Sequence, residues 1–146
     1  MNKQFLISSL VMFIATLLFG FTIHAVLLGG DYAALPNLYR PDTDSQNYTL
    51  YMLLAHLLMG IGLTWVYRMG RDDSPWPGQG LRFGLAMVVL ITVPTYMIYY
   101  AVQPMPETLA VKQILFETPA MLVLGLLVAA LNREPASEPA AGANND

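Results

Sequence analysis

The chain has 146 residues, 55% of them hydrophobic and 12% charged, with a mean hydropathy of +0.50. A soluble domain of this length cannot hide so much apolar surface, and the net charge of −3 leaves no basic footprint for nucleic acid. With no cysteine, disulfides and thiolate metal sites are excluded.

The apolar residues gather in four long runs, which predicts an all-α integral membrane four-helix bundle over residues 1–132. The first run is "FLISSLVMFIATLLFGFTIHAVLL", residues 5–28. It is longer than a signal-peptide core, and "TIHAVLL" makes a poor cleavage site, so a retained helix is expected. The connector "GGDYAALPNLYRPDTDSQN" reads as a loop by its turn residues. Its Tyr32, Leu35, Leu38 and Tyr39 are expected to lie back on the bundle.

Span two is expected at 48–67, with aromatic residues at both ends as interfacial anchors. "RMGRDDSPWPGQG" then turns the chain into span three, 81–102, and "QPMPE" separates it from span four, 108–131. The segment 133–146, "REPASEPAAGANND", reads as a disordered cytoplasmic tail. Lys3, Arg68, Arg71, Arg82 and Arg133 fall on one side, against Arg40 and Lys112 on the other. By the positive-inside rule both termini are expected in the cytoplasm. Gly80 and Gly84 form a GxxxG pair that reads either as a close helix crossing or as a loop glycine followed by an ordinary packing glycine.

Counting along the helices at about 1.5 Å per residue puts polar side chains from all four spans at similar depth, in the half away from the termini. They are His24, His56, Tyr96, Tyr99, Tyr100, Gln113 and Glu117. The half nearer the termini reads as nearly pure Leu, Met, Val, Phe and Ala. An ionisable group inside a membrane costs roughly 2.5–3.5 kcal/mol on insertion scales, so Glu117 is expected to face the bundle. Pro94 and Pro119 each free a backbone carbonyl one turn earlier. Gly20 and Gly60, one turn below the histidines, would let spans one and two approach closely.

Two readings of the polar layer stay open: hydrogen bonds that fasten four helices, or a site for a small ligand, ion or proton. Ser8 and Ser9 lie far along span one from both histidines, which removes an obvious Ser–His pair and disfavours an enzyme. HExxH and nucleotide-loop spacings are absent from the sequence. His24, His56 and Glu117 are the candidate metal ligands, and the two histidines could ligate haem in a redox protein, with Gly20 and Gly60 making room. The leading expectation has no cofactor.

The stretches "HAVLLGGDYAAL", "YMLLAHLLMGIGLTWVYR", "PWPGQGLRFG", "PTYMIYYAVQPMP" and "KQILFET" resemble those of a family of small four-span bacterial inner-membrane proteins of uncharacterised activity. The resemblance implies a multi-pass protein of the bacterial inner (plasma) membrane and supplies no catalytic residue. The function expected is that of a structural or accessory subunit or scaffold among membrane lipids, self-associating or bound in a larger complex. Binding or transport of a small ligand, ion or proton is the alternative, and a metal- or haem-binding redox protein the third.

Overall fold

The computed structural model describes residues 2–133, and the tail expected beyond Arg133 lies outside them. The described residues form helices and connectors without a strand. Four helical stretches are long and apolar enough to cross a membrane: Lys3–Leu27, Thr43–Gly70, Trp76–Val102 and Glu107–Leu131. We call them spans one to four. Spans one and four start and end within a few residues of expectation, and span two starts five residues early because the turns at Asp42–Ser45 and Gln46–Tyr48 run into its first α-helical residues. Span three starts five residues early because Pro75 precedes its first turn and Pro77 sits inside that turn, where a missing N–H costs nothing. Asn2 caps span one, its Oδ1 accepting from the Gln4 amide at 3.0 Å.

Spans one and three are not uniform α-helices. Each passes through a π segment, Phe21–Leu27 and Val88–Thr92 respectively. In span one the Leu28 amide reaches back five residues to the Ile23 carbonyl, at 2.9 Å. The segment in span three precedes Pro94, where the regular ladder cannot continue. Pro119, by contrast, sits within the continuous helix of span four.

The molecule is two helical hairpins. Spans one and two pack along each other, as do spans three and four. Span four joins the pairs, chiefly through span one, while spans two and three barely touch. Lipid tails are as apolar as leucine, so close packing rather than hydrophobic exclusion must hold such pairs together. Glycines provide it. A Cβ on Gly60 would meet the Phe13 backbone nitrogen at 2.5 Å and the Ser9 carbonyl oxygen at 2.8 Å. On Gly80 a Cβ would meet the Gly125 carbonyl oxygen and Leu126 Cα, both at 2.8 Å. On Gly84 it would meet Leu122 Cα at 2.9 Å. Of the two readings of the GxxxG pair, the close crossing is the one found, with Gly125 as its counterpart on span four.

Two apolar clusters fill the bundle. The larger lies toward the termini, around Met12, Leu63, Tyr67, Met87, Leu124 and Val128. The smaller lies toward the connector, around Ile23, Leu28, Leu109 and Ala120. Against this second cluster pack Tyr32, Leu35 and Tyr39. The connector thus folds back on the bundle as expected, although Leu38 stays outside that cluster. It is also more ordered than its turn residues suggest, with short helices at Gly29–Ala33 and Asp42–Ser45 and a 3-10 turn at Gln46–Tyr48.

Candidate functional site

The π segment of span one carries His24, and the residue added to its turn sets which way the imidazole points. Its Nε2 lies 3.0 Å from Glu117 Oε1, across from span one to span four. Its Nδ1 lies 2.7 Å from the hydroxyl of Tyr32, eight residues along the chain in the folded-back connector. Tyr96 of span three donates to the same Glu117 oxygen at 3.4 Å. Gln113, one turn from Glu117, donates from Nε2 to the Tyr32 hydroxyl at 3.2 Å.

These contacts have a direction. Gln113 can only donate through its nitrogen, so the Tyr32 oxygen accepts there and its own hydrogen is available for His24 Nδ1. Nε2 then carries the ring proton and donates to the Glu117 carboxylate. A neutral imidazole and an ionised carboxylate satisfy every donor in the run.

The connector forms the lid of this network. The Tyr32 and Tyr39 ring centroids are 4.5 Å apart, and Tyr32 stacks on His24 at 5.9 Å. Burial pushes the Tyr32 phenol up to about 12, so at neutral pH it is a protonated donor. Burial likewise raises Tyr39. At the rim, Lys112 Nζ pairs with Asp31 at 2.8 and 3.0 Å, tying span four to the residue before Tyr32.

The seven candidates from the sequence divide. His24, Gln113, Glu117 and Tyr96 come together. His56 makes no side-chain hydrogen bond to them; its ring lies against Gly20, where a Cβ would come within 2.7 Å of Cε1, and its Nδ1 is buried without a partner. Tyr99 and Tyr100 are 43% and 46% exposed, so they face outward; Tyr99 sets its ring edge against Tyr96, at 6.3 Å. Among the described residues, no three His, Asp or Glu side chains gather as a metal would need. The space beside Gly20 that haem would require is filled by the His56 imidazole, and the space beside Gly60 by the Phe13 backbone.

Two features escape a reading of depth alone. Tyr32 belongs to the network, and its signal was the apolar pattern that folds "DYAALPNLY" back on the bundle. The other corrects the expectation of a nearly pure apolar half near the termini. Ser8, Ser9, Thr16, Thr64 and Asn132 are all buried there. Asn132 Nδ2 donates to Ser8 Oγ at 2.8 Å and to the Val128 carbonyl at 2.8 Å. Ser8 Oγ lies 3.5 Å from Thr64 Oγ1. Hydroxyls are small enough to vanish into an apolar run, and Asn132 stands one residue beyond the end of that run.

Comparison with protein-family models, with curated proteins and with solved structures finds no match to this chain.

Proposed function

We propose that this protein is an accessory or scaffold subunit of a bacterial inner membrane, and that the connector half of span two is where a second protein surface seats. One observation carries the reading. Between Thr49 and Met59 every side chain of span two is exposed except His56, because span three does not pack against it. Nearby, the side chains of His24 and Glu117 remain 38% and 21% exposed. Lipid can cover Leu50, Met52, Leu54 and Leu58, but it offers an imidazole or a carboxylate no hydrogen bond. A protein surface offers both apolar contact and polar partners.

The natural absence of cysteine makes the test direct. Single cysteines at Met52, Leu54 and Leu58, treated with a bifunctional maleimide in native membranes, are expected to give one adduct of fixed mass. A cysteine at Leu10, exposed near the other end of span one, should not give it. Equal or absent crosslinking at all four positions would leave span two facing lipid and remove the subunit reading.

A second reading, in which the cluster binds or relays a proton or small ion, is favoured by the directed run Gln113–Tyr32–His24–Glu117–Tyr96. It predicts that Glu117→Gln folds normally yet abolishes transport, whereas the subunit reading leaves complex formation intact in that variant.

Both termini are placed in the cytoplasm on the Lys and Arg distribution. A reporter active only in that compartment is expected to work when fused after Arg133 and to fail when inserted after Arg40; the opposite pattern would invert the bundle.

A further inference from the structure

Gly60 and Gly62 stand two residues apart inside span two, so they look to nearly opposite sides of the helix. A Cβ on Gly60 would run into the backbone of span one, whereas one on Gly62 would meet nothing within 4 Å. Gly20, Gly80, Gly84 and Gly125 are like Gly60, each pressed by atoms of a neighbouring span. A glycine inside a helix weakens it relative to alanine, and an open one gains no contact in exchange. A close neighbour therefore belongs beside Gly62 as well.

Gly62 sits on a seam. Tyr51, Ala55, Leu58, Gly62, Trp65 and Met69 follow one another at alternating steps of four and three residues. That is a heptad pattern, and it runs along the side of the helix opposite the buried Gly60, Leu63 and Tyr67. Bulky and small residues alternate along it. Tyr51, Leu58 and Trp65 stand seven apart, and Ala55 and Gly62 stand seven apart between them. The bulky three are 70%, 69% and 59% exposed, and Met69 is 72% exposed. This repeat suits two helices crossing at a shallow left-handed angle, each setting its bulky side chains over the gaps left by small residues of the other. Fluid acyl chains have no register to match it.

We propose that span two pairs in parallel with span two of a second copy of this chain, about a two-fold axis along the membrane normal, an inference that rests on span two meeting a protein surface and names that surface. A two-fold contact sets each side chain against its own copy, so a charge on the seam would meet its like. From Thr49 to Tyr67 there is no Asp, Glu, Lys or Arg. His56 is turned away from the seam, onto Gly20 of span one. The Tyr51 hydroxyl both donates and accepts, so it can hydrogen-bond its own copy. At the connector end, Arg40 lies over the Tyr48 ring at 3.9 Å and is neutralised by Asp44 at 2.7 Å, so two copies do not repel there. In charge and in hydrogen bonding the seam is complementary to itself.

The test uses the full chain with single cysteines, oxidised in native membranes. Ala55→Cys and Leu58→Cys, on the seam, are expected to give a disulfide-linked species of twice the chain mass. Leu57→Cys and Ile61→Cys, on the flank of the helix, should give little of it. Equal yields at all four positions would overturn the proposal. Gly62→Leu supplies a second arm. Within one chain its Cβ meets nothing, so helix content should be unchanged. Pairing should weaken by about tenfold or more, read from energy transfer between labelled copies as lipid dilutes them in vesicles. Energy transfer that matches wild type would also overturn the proposal. The maleimide adducts at Met52, Leu54 and Leu58 separate this inference from the reading beneath it. A mass of twice the chain supports both. Any other fixed mass overturns the second copy and leaves the subunit reading standing, and no adduct removes both.

Discussion

Gly125→Ala is expected to destabilise the protein by about 1–3 kcal/mol, and Gly125→Leu to prevent the second hairpin from closing. The alanine substitution adds one methyl group, which on a helix in a membrane is ordinarily neutral. Here the added carbon would fall on the Gly80 carbonyl oxygen, and it would come within 2.7 Å of the Gly84 nitrogen and 2.8 Å of its Cα. All three are backbone atoms, so no rotamer change relieves the clash and the helices must separate. Separation loosens the contact along Gly80, Gly84 and Leu122 that holds spans three and four together. Thermal unfolding in nanodiscs checks this. An unchanged midpoint for the alanine variant would show that the helices do not cross so closely.

Glu117→Leu is expected to cost about 1–4 kcal/mol, and Glu117→Gln much less. Leucine removes the acceptor of two interhelical hydrogen bonds, from His24 at 3.0 Å and Tyr96 at 3.4 Å. It also leaves the imidazole in apolar surroundings with only Tyr32 as a partner. Glutamine keeps an oxygen at that place and so keeps both donors satisfied. In the leucine variant, hydrogen exchange across residues 29–40 should quicken, because Tyr32 is held partly through His24. Matching midpoints for the leucine and glutamine variants would mean that Glu117 does not join the spans.

Much of this could be read from the chain. Continuous apolar length is a strong signal, and it located the four helices to within a few residues, apart from the starts of spans two and three. Depth counting brought His24, Gln113, Glu117 and Tyr96 to one level because a helix rises uniformly, and the level was right. What depth cannot give is azimuth. Tyr99 and Tyr100 share the depth of Tyr96 and face outward, while His56 lies one turn deeper against Gly20. The π segment at Phe21–Leu27 changes azimuth without any proline or glycine cue inside it, so the orientation of His24 was not legible. The hydroxyls of Ser8 and Thr64 were hidden for a different reason. They cost so little in an apolar run that hydropathy passes over them.

The pairing of spans that are neighbours in sequence has a consequence for the order of assembly during synthesis. Everything that joins span one to span two is made before span three leaves the ribosome, so the first hairpin can seat in the bilayer by itself. The carboxylate partner of His24, however, lies 93 residues downstream. Until the fourth helix is inserted, an imidazole stands in the nascent hairpin with no carboxylate to meet it, and the seam between the halves is the last part of the protein to be made whole.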